Sequence, residues 1–373
     1  MINLLKQYIN IKHSRKKQIP PKTLPILLLW IYDKCNLYCK MCDQWKGNGI
    51  KSQMSYSPKI CDQWKVKNSR DILNTEELLT ILDSAKKLNT RIVSITGGEP
   101  LLRHDIFDIL NAISKRGFAS HLCTNGTLLN NNTALNLAKT NLKSISISID
   151  SINSNTHNFI RGCNCFHKTI TGVRLIRKII PNLRININFL ICRLNYKEMP
   201  EMINMAKELN VDKVSFAPIH TNLQHKNKSK ESFGDLLFHD NDNEELQRQI
   251  EKTKIISKQK KILISSNKFL RGIYDFYKKS PPYHKCYAGY SCCAISPWGD
   301  VSPCVDMETT NNIRNLPLDI IWNSHNFHNL RKDVENCKQH CWDTTNAEIS
   351  IRFNVKELFQ EFSINVRDLI KYG

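Results

Sequence analysis

The chain has 373 residues, with 54 Lys or Arg against 34 Asp or Glu, so its formal net charge is +20. This length favours one large α/β domain with an appended module over a single small core. The positive charge suits a phosphate-bearing partner, but no basic run or RNA-reading motif supports nucleic acid as that partner. The longest apolar run, LPILLLWIY, is too short to cross a membrane, and the N-terminus lacks the order of a secretory signal.

The chain contains 14 cysteines. They are bunched at residues 35–42 and 286–341, a distribution typical of metal ligands rather than of a disulfide framework. Free thiol ligands require a reducing compartment, so we expect a cytoplasmic protein.

The first 24 residues form a basic N-terminal segment, in which residues 1–9 have the pattern of a short amphipathic helix. From residue 25, short apolar runs alternate with longer helical periods, which indicates βα units and a parallel sheet. The expected strands are residues 26–32, 91–96, 119–124, 143–149, 184–191 and 213–218, and the expected helices are residues 75–88, 105–116, 131–139, 168–179 and 198–209. Six such units predict an α/β fold, an incomplete (β/α)6 TIM-like barrel over residues 25–220.

Beyond the barrel, the pattern predicts a linker and closing helices over residues 221–285, with helical periods near 243–260 and 267–279. A small cysteine-rich module is expected over residues 286–345, followed by a C-terminal helix within residues 346–373. In this module, CCAISPWGDVSPC predicts two short strands joined by a PWGD turn.

The run CNLYCKMC directly follows the first expected strand and contains Cys35, Cys39 and Cys42. Three thiolates can hold three corners of a 4Fe-4S cube and leave one iron open to a small molecule. Zinc is the main alternative, but a structural zinc site needs four ligands, and no His or Cys lies within six residues after Cys42. Because barrel active sites form at the carboxyl ends of strands, this loop is the predicted site.

This spacing, C-x3-C-x2-C with the apolar Met41 before the last cysteine, resembles the signature of the radical S-adenosylmethionine (radical SAM) superfamily. The resemblance implies that S-adenosylmethionine binds the open iron through its amino and carboxylate groups. It also implies reductive cleavage to a 5′-deoxyadenosyl radical, which abstracts a hydrogen atom from substrate. An electron donor such as flavodoxin or ferredoxin is the implied partner.

Further motifs match the superfamily at the ends of later strands: TGGEP, CTNGTLL, SISID and HNFIRG. By resemblance, Gly97, Gly98 and Glu99 hold the methionine amino group, with the glycines allowing a close approach of the backbone. Asn125, Ser148 and Asp150 are implied polar contacts to the cofactor ribose and carboxylate. Arg161 is implied to pair with the methionine carboxylate. Each motif alone is also typical of an ordinary turn or helix cap.

The C-terminal cysteines resemble the Twitch/SPASM extension of radical SAM enzymes, which carries auxiliary 4Fe-4S clusters. We expect one auxiliary cluster, as in the truncated Twitch form, with Cys286, Cys304, Cys337 and Cys341 as ligands. Cys292 or Cys293 could replace Cys337, because Cys337 and Cys341 are separated by three residues where related modules often have two. A zinc knuckle is the alternative, since four sulfurs suit zinc as well. The remaining thiols between the two groups are interpreted as buried or incidental: Cys123, Cys163, Cys165 and Cys192.

The pentapeptide CDQWK occurs at residues 42–46 and again at residues 61–65. Pro58 and Met54 stand where a second cluster loop would need cysteines. We therefore expect Cys61 not to be a ligand.

The sequence thus predicts a radical SAM enzyme with one auxiliary cluster, acting on a peptide or a small molecule. A peptide is slightly favoured because such extensions are common on peptide-modifying members, although no leader-peptide-binding domain is expected before residue 25. RNA stays open as a substrate. The rival hypothesis, a non-catalytic zinc-binding and nucleic-acid-binding protein, depends only on charge and cysteine count. No catalytic acid or base is predicted.

Overall fold

The computed structural model describes residues 2–42, 71–219, 230–239, 242–277, 284–338 and 341–353. In these residues nine strands form one sheet. They are β1 (Ile26–Trp30), β2 (Ile92–Thr96), β3 (Ala119–Thr124), β4 (Ser144–Ser148), β5 (Arg184–Ile191), β6 (Lys213–Pro218), β7 (Leu263–Ile264), β8 (Cys292–Ile295) and β9 (Val301–Ser302). The sheet order is β7-β6-β5-β4-β3-β2-β1-β8-β9, and every pair is parallel except β8 with β9.

Helices follow most of the strands. The α-helices of the described residues are α1 (Ile2–Lys17), α2 (Thr75–Lys87), α3 (Ile106–Lys115), α4 (Asn131–Ala138), α5 (Ser154–Arg161), α6 (Phe166–Ile179), α7 (Met199–Glu208), α8 (Asn243–Lys260), α9 (Asn267–Tyr277), α10 (Leu318–Asn323), α11 (His325–Glu335) and α12 (Ala347–Arg352). Short 3-10 helices cover Pro100–Leu102, Tyr196–Glu198 and Lys230–Leu236. No helix in the described ranges is both long and apolar enough to cross a membrane.

The predicted fold is confirmed: the sheet is mostly parallel, and in the described residues its edge strands β7 and β9 do not pair with each other. Three of the expected strands, at residues 119–124, 184–191 and 213–218, have the predicted bounds. The expected PWGD hairpin is also present as β8 and β9. Helix α1 continues to Lys17, well beyond the predicted residues 1–9. The helix expected at residues 355–371 lies outside the described residues.

The sequence determines where helix α2 begins and which of its faces is buried. Asn74 accepts a hydrogen bond from the Glu77 backbone N–H at 2.9 Å, and the Glu77 carboxylate accepts one from the Asn74 N–H at 2.8 Å. This capping box starts the helix, and the apolar stripe that includes Leu78, Ile81 and Leu82 is buried against the sheet.

Alternate residues of the central strands belong to two different environments. One set is apolar and packs into the main core under the helices, with Val93, Ile145 and Ile185 as examples. The other set is polar and forms a hydrogen-bonded inner face: Ser146, Asn186 and Ser215 with their neighbours. Since strand side chains alternate between faces, the barrel interior is polar while its outer layer is apolar.

The C-terminal module continues the sheet of the barrel. Strand β8 pairs in parallel with β1, with Ile26 opposite Cys292 and Leu27 opposite Cys293. The three-cysteine loop after β1 and the cysteines near β8 are therefore positioned by adjacent strands of one sheet.

Candidate functional site

The cysteine loop leaves the carboxyl end of β1 and lies against the end of β2. The Gly98 N–H donates to the Tyr32 carbonyl, and the Glu99 N–H donates to the Lys34 carbonyl, both at 2.8 Å. A Cβ atom on Gly98 would lie 2.1 Å from the Lys34 carbonyl oxygen, and one on Gly97 would lie 2.5 Å from the Tyr32 oxygen. The loop backbone thus leaves no room for a side chain at either glycine. From the sequence, the glycines are expected to admit the cofactor, whereas here they admit the loop backbone.

The loop is held a second time by the residues after β3. The Asn125 side-chain amide donates to the Asn36 Oδ1 atom at 2.8 Å, and the Asn36 amide donates to the Thr127 hydroxyl at 2.9 Å. The Asn125 Nδ2 atom also lies 3.9 Å from the Cys35 sulfur. Asn125 is therefore next to one of the predicted cluster ligands.

The carboxyl end of α5 forms the third contact. The Lys40 N–H donates to the Ile160 carbonyl at 2.9 Å. Gly162 has a φ of 65°, and a Cβ atom there would lie 2.2 Å from the Tyr38 carbonyl oxygen. Only glycine fits this left-handed position against the loop. The ends of two strands, β2 and β3, and of helix α5 thus fix the backbone that contains the three cysteines.

Arg161 connects this loop to the end of β4. Its Nε atom and the Asp150 Oδ2 atom form an ion pair at 2.7 Å, while its Nη1 atom lies 3.8 Å from the Cys39 sulfur. Asp150 is fully buried, and its Oδ1 atom accepts the Leu190 N–H at 2.9 Å. Asp150 therefore lies behind Arg161 as its counter-ion. Burial raises the pKa of the Cys39 thiol, and the Arg161 charge opposes that shift.

Glu99 is fully buried between the ends of β2 and β3. Its carboxylate accepts hydrogen bonds from the Thr124 hydroxyl and the Asn125 N–H, both at 2.8 Å, and from the Leu101 N–H at 3.1 Å. Burial raises the pKa of Glu99 to about 7, although these hydrogen bonds favour the ionised form. Ser148 is half-buried at the end of β4, opposite Asn188 in the sheet register.

Two further thiols lie beside the three predicted ligands. Cys163 and Cys165 belong to the same apolar cluster as Cys35, Cys39 and Cys42. The Cys165 sulfur lies 3.5 Å from the His157 Nε2 atom. From the sequence, both thiols are expected to be buried or incidental, and Cys165 is indeed buried. Their position directly after HNFIRG is the sequence signal that they lie near the loop.

The second group of thiols lies around β8 and β9. The Asn346 side chain lies between Cys304 and Cys292, with its Nδ2 atom 3.6 Å from the first sulfur and its Oδ1 atom 3.7 Å from the second. Burial raises the pKa of the Cys286 thiol to about 11, and the charges of Asp343 and Cys337 act in the same direction.

The same electrostatic coupling links the four predicted ligands. Burial raises the pKa of Cys304 and of Cys341, and the Cys286 charge raises both values further. The charge of Cys337 contributes in the same way at Cys341. Cys286 thus lies within electrostatic range of each of the other three predicted ligands. In the described ranges, no three His, Cys, Asp or Glu side chains are arranged to hold a single metal ion.

The two alternative ligands lie on opposite faces of β8. Cys292 lies on the side of Asn346, and the Cys286 charge raises its pKa after the larger effect of burial. Cys293 packs in the main hydrophobic core. Of the two alternatives, only Cys292 is therefore next to the other thiols. The donor set, thiols with amide groups beside them, fits iron–sulfur clusters at both sites.

An open α/β barrel with a clamped three-cysteine loop and a second thiol group on the same sheet defines an iron–sulfur protein. Comparison with family models agrees with this class. The radical SAM superfamily model matches residues 31–206, and the iron–sulfur cluster-binding SPASM domain model matches residues 286–343. Residues 31–206 thus form a domain of the radical SAM superfamily, a class of enzymes, and residues 286–343 form a SPASM domain. The protein's cofactors are those of the family, a 4Fe-4S cluster, S-adenosylmethionine and an iron–sulfur SPASM site.

Curated relatives match parts of the chain. It is 33% identical over 138 residues to an AdoMet-dependent heme synthase of Methanosarcina barkeri, covering 37% of this chain and 39% of that protein. It is 27% identical over 187 residues to a probable GTP 3′,8-cyclase of Saccharolobus islandicus, covering 49% of this chain and 57% of that protein. The chain thus spans well under two thirds of the length of these relatives.

Solved structures share the fold over a longer range. Streptococcus suis SuiB bound to S-adenosylmethionine has a TM-score of 0.63 at 19% identity, covering 86% of this chain and 71% of that chain. The anSMEcpe structure with bound AdoMet and the Cp18Cys peptide has a TM-score of 0.60 at 16% identity, covering 92% and 99%. The comparisons give no support to the zinc-binding, nucleic-acid-binding alternative.

Proposed function

We propose that this enzyme cleaves S-adenosylmethionine at a 4Fe-4S cluster held by Cys35, Cys39 and Cys42, and then oxidises or cross-links a peptide. The observation that carries the proposal is the cysteine loop, which the ends of β2, β3 and α5 clamp at the carboxyl edge of the sheet. When bound, the cluster and S-adenosylmethionine supply a 5′-deoxyadenosyl radical that removes a hydrogen atom from the substrate.

The protein residues would orient that chemistry. Asn125 and Arg161, whose side-chain nitrogens lie 3.9 and 3.8 Å from cluster thiols, would fix the sulfurs and meet the polar groups of S-adenosylmethionine. Ser148 would contribute a further polar contact. Asp150 would act through Arg161, and Gly97, Gly98 and Glu99 would hold the backbone around the methionine amino group.

The inner face of the barrel supports a substrate rich in amide groups. His121, Ser146 and Asn186 are joined by side-chain hydrogen bonds of 3.1 and 2.8 Å across three strands. Ser215 extends this network from β6. Such groups can both donate to and accept from a peptide backbone. Two proteins of similar fold have structures with a bound peptide: SuiB with the precursor peptide SuiA, and anSMEcpe with the Cp18Cys peptide.

A small-molecule substrate is the second candidate. The observation that favours it is the match to the AdoMet-dependent heme synthase, at 33% identity over 138 residues. The matching relatives are named for chemistry on small molecules, whereas the structural neighbours include peptide complexes. Direct assay of both substrate classes separates the two candidates.

For the SPASM site we propose one auxiliary 4Fe-4S cluster, with Cys286, Cys304, Cys337 and Cys341 as ligands. It would accept the electron that remains on the substrate after hydrogen abstraction. A flavodoxin or ferredoxin in the cytoplasm would reduce the first cluster. The proposed functional units are the barrel core of residues 25–220 and the cluster module of residues 286–345.

The test is anaerobic turnover with S-adenosylmethionine, a reductant and deuterated substrates. Peptides from cell extract should transfer deuterium into 5′-deoxyadenosine, and the Cys39→Ala variant should form no 5′-deoxyadenosine. Transfer only from a small-molecule fraction, such as porphyrins, would replace the peptide by the second candidate. No transfer from any fraction would overturn the proposed hydrogen abstraction.

A further inference from the structure

Helix α1, at the start of the chain, packs against the module that contains the second thiol group. The Tyr8 ring stacks on Phe353 at 5.2 Å between centroids, and Phe353 stacks on Tyr287 at 4.3 Å. Ile11 is buried in the same cluster with Tyr287 and Tyr290. The basic N-terminal segment is thus a folded part of the cluster module.

Arg15 extends from this helix to the first cysteine of the module. Its Nε atom donates to the Cys286 carbonyl oxygen at 2.7 Å, and its guanidinium lies 5.0 Å from the Tyr287 ring centroid. Arg15 is 6% exposed, so its charge is held away from bulk water. The contact joins residues 271 positions apart in sequence.

A second arginine holds the same segment of the chain three residues further on, at Gly289. The Arg331 Nε atom donates to the Gly289 carbonyl at 2.6 Å, and its Nη2 atom donates to the Trp322 carbonyl at 2.7 Å. Its guanidinium lies 4.5 Å from the Trp322 ring and 4.7 Å from the Phe327 ring. Arg331 is fully buried.

Neither arginine forms an ion pair with a carboxylate among the described residues. Burying a cation is unfavourable by several kcal/mol unless an opposite charge or strong polar contacts compensate it. The carbonyls and aromatic rings supply part of that compensation. A cluster with four thiolate ligands carries negative charge and gains more on reduction, so it is the natural counter-charge for Arg15, which lies beside Cys286.

We propose that Arg15 and Arg331 are positioning residues for the auxiliary cluster: they fix the Cys286–Gly289 segment by two of its carbonyls, and the Arg15 charge beside Cys286 raises the cluster's reduction potential. This inference rests on the proposed SPASM cluster. Positive charge near an iron–sulfur cluster favours its reduced, more negative state. The negative charges of Asp343 and Asp306, which act on the Cys304 and Cys341 thiols, oppose this increase in the reduction potential.

A higher reduction potential of the auxiliary cluster would favour oxidation of the substrate radical. Hydrogen-atom abstraction leaves one unpaired electron on the substrate. An auxiliary cluster held by these cysteines would supply the one-electron acceptor for it, and the substrate would lose a proton to solvent. The two steps together remove two electrons and two protons from the substrate. Arg15 would favour the second step because its charge beside Cys286 would stabilise the reduced cluster.

The test is an anaerobic potentiometric titration of the holoenzyme followed by electron paramagnetic resonance. Arg15→Gln should shift the auxiliary cluster to a more negative potential by about 59 mV, a tenfold change in its oxidised-to-reduced ratio. Arg15→Lys, which keeps the charge, should stay near the wild-type value. Lys16→Gln removes the same charge from an exposed neighbour on α1 and should change little. The first cluster is the internal reference for each variant.

An Arg15→Gln potential equal to that of Lys16→Gln, with wild-type iron content, would overturn the inference and leave the proposed function intact. Loss of the second cluster in Arg15→Gln with recovery in Arg15→Lys would support it, whereas equal loss in both variants would overturn it. Wild-type protein that binds iron for one cluster only would overturn the proposed auxiliary site together with this inference.

Discussion

The Arg161 guanidinium lies between Asp150 and Cys39, with its Nε atom 2.7 Å from the Asp150 carboxylate and its Nη1 atom 3.8 Å from the Cys39 sulfur. Asp150 is fully buried, and Arg161 is the cation paired with it. One ion pair thus links the end of β4 to the middle of the cysteine loop. A change at Asp150 should therefore affect both the stability of the fold and the position of a cluster thiol.

Asp150→Asn should lower the free energy of unfolding by about 3 kcal/mol, because it leaves the Arg161 charge buried without its partner. Chemical denaturation of the protein measures this change. The control is Asp83→Asn, which breaks the Arg116–Asp83 ion pair, where the Asp83 side chain is 60% exposed. That variant should lose less than about 1 kcal/mol. Equal losses would show that Asp150 is not the buried counter-ion described here.

Gly98→Ala should displace the cysteine loop, since its new methyl group would lie 2.1 Å from the Lys34 carbonyl oxygen. We expect iron for about one cluster to be lost, about four atoms per chain, while the auxiliary cluster is retained. Iron and sulfide analysis with electron paramagnetic resonance distinguishes the two clusters. Gly117→Ala is the matched control, because a Cβ atom there meets nothing within 4 Å. Its positive φ should reduce stability by about 1 kcal/mol without loss of iron.

His121, on the inner face of the barrel, makes the stability of the folded protein depend on pH. Burial lowers the pKa of His121 to about 4, and the Lys213 and Arg184 charges act in the same direction. The neutral ring is therefore favoured in the folded state. Its contribution to stability is complete above pH 6.5, the ordinary pKa of histidine, and is lost as the pH falls towards 4.

His121→Gln should remove this dependence. Between pH 7 and about pH 4, the wild type should lose up to about 3 kcal/mol of unfolding free energy more than the variant does. Denaturant titrations of both proteins across this range measure the difference. A constant difference between the two proteins would show that His121 titrates normally.

The sequence predicts most of the barrel because short apolar runs alternate with longer helical periods along the chain. The bounds of β5 follow directly from RININFLI, and Asn74 with Glu77 marks the start of α2. The two-residue strand β7 was not predicted, since two apolar residues give no usable period. Helix α5 was also not predicted, because its short polar sequence, SNTHNFIR, has few apolar positions.

The candidate site was predicted in part. The three cysteines and the strand ends around them follow from local spacing. The side-chain contacts of Asn36 with Thr127 and of Arg15 with Cys286 join residues 91 and 271 positions apart, and local patterns contain no information on such pairs. Gly98 shows the same limit: its neighbour is the Lys34 backbone, which only the folded chain brings near.

Formation of 5′-deoxyadenosine by the reduced, anaerobic protein shows directly whether the three-cysteine loop holds a cluster that cleaves S-adenosylmethionine. The wild type should convert S-adenosylmethionine to 5′-deoxyadenosine, Cys39→Ala should not, and Cys61→Ala, which changes the second CDQWK copy outside the described residues, should retain the activity. A wild type that forms no 5′-deoxyadenosine would contradict cleavage of S-adenosylmethionine by this protein. A Cys61→Ala variant that loses as much of this activity as Cys39→Ala would contradict the assignment of the cluster ligands.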